Sequence, residues 1–220
     1  MGREAHAETK KTYEDPIVVS RYLEAYGNRM HTNLANAFVR SLEGNRVLDL
    51  GCGPGHYSRF FSDCGLATVG IDYSEEMIRI AKEKYETDSH IRFEVGDMRD
   101  LGKSLPSNSF DGVWANASLL HISPDEIGET LDGIFTITAN TGKVFIRIKA
   151  GDNTATVVNE HLYGKDISRE FTFWDRETFT KLLEEHKFIV TKVVAEHEDS
   201  NVGETNRSID WLQFYTEVRK

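Results

Sequence analysis

The chain has 220 residues and a formal net charge of −10, from 26 Lys plus Arg against 36 Asp plus Glu. A chain of this length buries roughly 70% of the surface it exposes when unfolded, enough for one domain with its own core. The acidic balance lacks the basic footprint that general binding to nucleic-acid backbone requires.

No apolar run approaches the ~18 residues of a membrane span, and residues 1–11 are polar, without the apolar core of a signal peptide. Cys52 and Cys64 neither sit at CxxC spacing nor join a Cys/His cluster, so no metal site is expected. Two thiols in a chain this size suit the reducing cytoplasm.

In chain order, residues 1–11 are expected to be loose. A helix is expected over 13–26, where Val18, Val19, Tyr22, Leu23 and Tyr26 share a face, and a second over 31–42, ended by Gly44-Asn45. From Arg46 the chain alternates. Strands are expected at 47–50, 67–71, 91–95, 110–114 and 143–148. Helices are expected at 57–64, after Ser74 as N-cap, and at 124–139. This alternation predicts an α/β fold with a parallel sheet covered on both faces.

The pattern then breaks. Residues 150–174 are polar with scattered aromatics and no strong period, which reads as a substrate-side insertion. Asp175 is expected to cap a last helix, followed by strands at 188–195 and 209–218 around a polar loop at 196–204. The whole, 1–220, reads as a single domain: N-terminal helices over the site (1–44), a cofactor-binding core (45–149), the insertion, and a closing helix and strand pair (175–220).

The chemistry-bearing stretch is 47–55, Val-Leu-Asp-Leu-Gly-Cys-Gly-Pro-Gly. A short strand runs into a turn with Gly51, Gly53 and Gly55, which lets a nucleotide-like group lie against the main chain. Asp49 lies at the end of that strand and Cys52 inside the turn. Asp72 closes the second strand, where an acid accepts hydrogen bonds from both ribose hydroxyls of a nucleoside. Asp97 and Met98 close the third, placed for the amino group and ring nitrogen of an adenine. Met77 and Met98 are placed to sandwich the ring and Tyr73 to cover its edge.

With these residues the sequence resembles the class I S-adenosylmethionine-dependent methyltransferases. Residues 47–55 look like the family's first motif, Ile71-Asp72-Tyr73-Ser74 its ribose-binding acid, Gly96-Asp97-Met98 its adenine motif, and 110–121 the strand-four motif of the small-molecule-type branch. The resemblance implies a Rossmann-like doubly wound seven-stranded sheet of order 3-2-1-4-5-7-6 with strand 7 antiparallel. It implies S-adenosylmethionine as cofactor and transfer of its methyl group to an O, N or C atom of a small-molecule acceptor by in-line displacement. The spacing G-x-G-x-G, in place of G-x-G-x-x-G, speaks against a dinucleotide oxidoreductase.

On the acceptor side, His121 lies just past strand four and is the candidate general base. Asn116 is placed to hold the cofactor's amino group. Arg147 shares a face with Lys149 near the end of strand five and, with Arg169, is placed to receive an anionic substrate group. Tyr13 and Tyr22 are placed to close over the site, and Tyr163 to line the acceptor wall. A tRNA-directed enzyme and a non-catalytic cofactor-binding protein are the competing readings. The acidic balance and the lack of an Asn-Pro-Pro-Tyr-type motif weigh against the first.

Overall fold

Val47, Leu48 and Leu50 are fully buried, and the strand they form, β1 (Arg46–Leu50), lies inside a parallel sheet. The computed structural model describes residues 2–26, 30–85, 87–162, 164–202 and 205–220. β1 pairs on one side with β2 (Ala67–Asp72), which pairs with β3 (Ile91–Val95), and on the other with β4 (Phe110–Asn116), which pairs with β5 (Thr138–Ala150), all parallel. Near-continuous apolar runs such as 112–115 of β4, buried throughout, are what a sheet covered on both faces demands.

Helices α1 (Gly2–Glu14), α2 (Pro16–Tyr26) and α3 (Thr32–Ser41) precede the sheet. Then come α4 (His56–Asp63), α5 (Glu75–Tyr85), the short α6 (Leu101–Ser104), α7 (Ile127–Ile137) and α8 (Arg176–Glu185). On one face, Phe38 of α3 and Phe61 of α4 pack on Trp114, whose ring stacks on Phe145 at 4.1 Å. On the other, Leu131 and Ile134 of α7 and Phe179 of α8 pack on Leu48, Val113 and Ile146. Two expected caps are in place: Ser74 Oγ accepts from Met77 N, and Asp175 accepts from Thr178 N.

The remaining strands are β6 (Ala155–Leu162), β7 (Lys165–Trp174), β8 (Phe188–Val202) and β9 (Thr205–Val218). β9 runs antiparallel between β5 and β8, so the core order is β3-β2-β1-β4-β5-β9-β8. With β8 and β9 as the sixth and seventh strands, this is the expected 3-2-1-4-5-7-6.

Four expectations need correction. Residues 150–174 hold an antiparallel hairpin, β6 against β7, and β7 joins the tip of β5 at Lys149–Phe173 and Ala150–Trp174. β4's pairing with β5 has already ended at Arg147, so the hairpin continues the sheet above β4. β7 is covered on both faces, which hides the alternation of an ordinary half-buried strand. Second, 196–202 is strand: β8 and β9 extend as one long hairpin.

Third, α1 replaces the loose stretch. It has no apolar stripe, and what docks it is polar: Thr12 Oγ1 donates to Ser168 O at 2.8 Å, and Glu170 N donates to Thr9 Oγ1 at 2.8 Å. Fourth, Asp15-Pro16 divides the helix expected over 13–26. Proline is tolerated only in a first turn, and Asp15 Oδ1 accepts from Ile17 N and Val18 N to start α2.

Candidate active site

At the carboxyl end of β1 the chain turns through left-handed backbone, with φ of 73° at Gly51 and 51° at Gly53. A Cβ on Gly51 would lie 2.4 Å from that of Ser118, so the turn and the segment after β4 can meet only without a side chain there. Gly53 has no atom within 4 Å of where a Cβ would be. Its N–H donates to Asp72 Oδ2 at 2.9 Å, and Ser74 N donates to Oδ1 at 2.9 Å. Asp72 is 8% exposed, and burial pushes its carboxyl up to about 6 against these two donors. Each oxygen keeps acceptor capacity for one more donor.

Gly51, Gly53, Asp72 and Ser118 line one cleft. Met77, Met98, Asp97 and Tyr73 also line it. Asp97 is not bare. Arg99 donates to it from Nε at 3.0 Å and Nη2 at 2.6 Å and reaches Glu126 through Nη1 at 2.9 Å. Burial would raise the Asp97 carboxyl, but the Arg99 hydrogen bonds outweigh it and hold it below the usual carboxylate range.

α1 forms the roof. Its His6 ring lies 5.3 Å from that of Tyr73, with Nε2 3.9 Å from Asp97 Oδ2. Burial, aided by Arg99, lowers the His6 pKa. Tyr73 OH, His6 Nδ1 and Ser118 Oγ line the cleft, buried and without a hydrogen-bond partner.

A second chamber adjoins the cleft. Tyr13, Tyr22, Gly51, Gly53, Ala117 and His121 line both. His121 Nδ1 lies 2.7 Å from the Glu170 carbonyl oxygen. A carbonyl only accepts, so Nδ1 carries the proton and Nε2 of the neutral ring is an acceptor. Burial, opposed by that bond and aided by Arg169 and Lys149, pushes the imidazole down to about 3.

Beyond it, Arg147 is 2% exposed. It donates to Glu198 at 2.7 Å and Glu196 at 3.1 Å, and it lies 3.9 Å from the centre of the Trp211 ring. Arg169 pairs with Glu160 and donates to Tyr13 OH at 3.4 Å. Lys149 Nζ sits 3.4 Å over the Phe171 ring.

A family model described as a methyltransferase domain matches residues 47–142, the span that builds this cleft. Over that span the chain is similar to class I S-adenosylmethionine-dependent methyltransferases.

The chain is 30% identical over 95 residues to a malonyl-[acyl-carrier protein] O-methyltransferase of Enterobacter lignolyticus, covering 42% of this chain and 36% of that one. It is 28% identical over 176 residues to a 2-methyl-6-phytyl-1,4-hydroquinone methyltransferase of Synechocystis, covering 79% and 50%. The chain thus spans about a third to a half of these curated relatives. In fold it is similar to a Haemonchus contortus phosphoethanolamine N-methyltransferase solved with phosphomonomethylethanolamine and S-adenosylhomocysteine. There the TM-score is 0.72 at 18% identity, covering 100% of this chain and 60% of that one.

The residues present fit the family's cofactor. The cleft offers a buried carboxylate with spare acceptor positions, an unobstructed glycine at Gly53, and the unpartnered Tyr73 OH and Ser118 Oγ. Asn116 lines the adjoining chamber with its Oδ1 buried and unpartnered.

Not every candidate residue reaches the site. Asp49 is 2% exposed and lies beneath the turn, where Ser58 Oγ donates to it at 2.6 Å. Burial pushes its carboxyl up to about 7. Gly55 caps α4 and packs against Phe93. Cys52 lines the outer chamber, with its thiol buried and pushed upward. Tyr163 lies outside the described residues. His121 is too weakly basic for an ordinary general base, and Arg147 and Arg169 are already ion-paired.

His6, Trp211 and the Glu196/Glu198 pair were missed. His6 sits in a helix with no apolar signal. Trp211 carried one: period two along β9 puts it on one face with Gln213.

Proposed function

We propose that the chain transfers a methyl group from S-adenosylmethionine to a small-molecule acceptor. The observation that carries this reading is Asp72. Its buried carboxylate is fixed by Gly53 N and Ser74 N, keeps two free acceptor positions, and faces a cleft that shares lining residues with a second chamber.

Asp72 holds the ribose hydroxyls. Met77, Met98 and Tyr73 enclose the adenine, while Ser118, Asn116 and the Gly51–Gly53 main chain receive the amino-acid end. When bound, the cofactor supplies an electrophilic methyl group on a sulfonium. The protein's part is alignment and exclusion of water. Tyr13, Tyr22 and His121 border both cavities and so flank the line of transfer. His121 Nε2 orients the acceptor as a neutral hydrogen-bond acceptor.

Two compared proteins are named for a hydroquinone and for phosphoethanolamine, which supports a small acceptor. Among the described residues no helix is long and apolar enough to cross a membrane. Cys52 and Cys64 are free thiols, which supports a reducing compartment such as the cytoplasm.

Thermal-shift titration tests the reading. S-adenosylmethionine and S-adenosylhomocysteine should raise Tm in a saturable way, and NAD should not. Stabilisation by NAD alone would overturn it.

A further inference from the structure

The outer chamber is rich in cations but carries no surplus charge. Arg147, Lys149 and Arg169 line it, and three carboxylates answer them: Glu196 and Glu198 on Arg147, and Glu160 on Arg169. An anionic substrate group would have to displace those carboxylates or sit beside them. A cationic group is equally disfavoured. Two of the ring faces that would attract it are already occupied, Phe171 by Lys149 at 3.4 Å and Trp211 by Arg147 at 3.9 Å.

The chamber does carry unmet hydrogen-bonding capacity. Arg147 Nε, Arg169 Nε and Trp211 Nε1 are buried without a partner, on residues only 2%, 6% and 7% exposed. All three are donors only and call for oxygens on the ligand. His121 Nε2 is an acceptor and calls for an X–H group. The walls near it are flat: Tyr13 and Phe171 lie 5.7 and 5.0 Å from the His121 ring.

Resting on the methyl-transfer reading above, we infer that this chamber takes an uncharged hydroxyarene, a phenol or hydroquinone bearing further neutral oxygens, and presents its hydroxyl to His121 Nε2. Methylation forms an O–CH3 bond and breaks the S–CH3 bond. The bonding pair leaves with sulfur as a thioether, and the alkylated hydroxyl, by then strongly acidic, gives its proton to solvent water, with His121 Nε2 serving only as the hydrogen-bond acceptor that orients it.

The test is calorimetric titration of the protein saturated with S-adenosylhomocysteine, followed in parallel by quenching of Trp211, with Trp211→Phe as the optical control. The probes are methylhydroquinone, 4-hydroxybenzoate and phosphoethanolamine. Methylhydroquinone should bind saturably, at least about tenfold tighter than either charged probe. In Glu198→Gln, which leaves the Arg147 cluster with surplus positive charge, the preference should move about tenfold toward 4-hydroxybenzoate.

Equal or tighter binding of a charged probe by the parent protein would overturn the proposal, as would an unchanged preference in Glu198→Gln. So would the failure of all three probes on protein that still binds S-adenosylhomocysteine, an outcome that leaves the cofactor reading intact. Failure to bind S-adenosylhomocysteine itself would overturn both.

Discussion

The carbonyl oxygen of Glu170 lies 2.7 Å from Nδ1 of His121. That contact fixes the tautomer and turns the expected general base into a neutral acceptor. It also ties the ring to the roof, because the N–H of Glu170 donates to Thr9 of α1.

With its imidazole pushed down to about 3, His121 stays neutral across the working range. The rate of methyl transfer should therefore show no inflection from this group between about pH 5 and 9. His121→Phe should lower kcat by about tenfold, the worth of a lost buried hydrogen bond, with little change in S-adenosylhomocysteine affinity. An inflection near pH 6.5 that disappears in His121→Phe would restore the base role.

Asp72 gives a pH dependence to cofactor binding. Burial raises its folded-state value to about 6, above the ordinary 3.8, so in the free protein the carboxyl is protonated at pH 5 and ionised at pH 7. Ribose hydroxyls donate best to the ionised form. Affinity for S-adenosylhomocysteine should rise with pH through about 6 and level off above 7, by at most about tenfold per unit. Asp72→Asn should bind more weakly with a flat profile. Calorimetry from pH 5 to 8 measures both.

The parallel core was legible because a sheet covered on both faces forces its strands into apolar runs, such as 47–50 and 110–115, separated by glycines and caps. Asp72, Asp97 and Met98 were legible for a related reason: strand ends are fixed points in such a fold.

What failed has two causes. α1 is docked by polar contacts, such as Thr12 to Ser168, and carries little apolar periodicity, whereas β7 buries Ile167, Phe171 and Trp174 with neighbours on both faces and so shows no clean alternation. Asp49 was misplaced for a different reason. Period two along β1 could have put it on either face, and only packing against Ser58 decides that it lies under the turn.

Asp49 makes a stability prediction. Its carboxyl is raised to about 7 in the folded protein against 3.8 for the free group, so the folded state binds this proton more tightly than the unfolded one. Stability is then greatest below about pH 4 for this group, falls as pH rises toward 7, and is flat above, with a slope of at most about 1.4 kcal/mol per unit. Asp49→Asn keeps an acceptor for Ser58 and removes the titration. It should be roughly 1–4 kcal/mol more stable than the parent at pH 8 and nearly equal at pH 4. Urea unfolding of both proteins at pH 4 and pH 8 measures the difference.

Gly51 and Gly53 should respond differently to alanine, although both have positive φ. At Gly51 the new methyl meets Ser118 Cβ at 2.4 Å, and main chain must shift. Left-handed strain and that clash together predict a loss of about 2–4 kcal/mol in unfolding free energy. At Gly53 nothing lies within 4 Å, so only the backbone term of about 1–2 kcal/mol applies. Yet Gly53 lines both cavities, where a bound adenosyl group must approach the main chain. Gly53→Ala should therefore remain folded with a small drop in Tm while its Kd for S-adenosylhomocysteine rises about tenfold or more. Parallel Tm and calorimetric measurements on the two variants separate the positions. A Gly53→Ala protein that binds as tightly as the parent would remove this turn from the cofactor's contact surface.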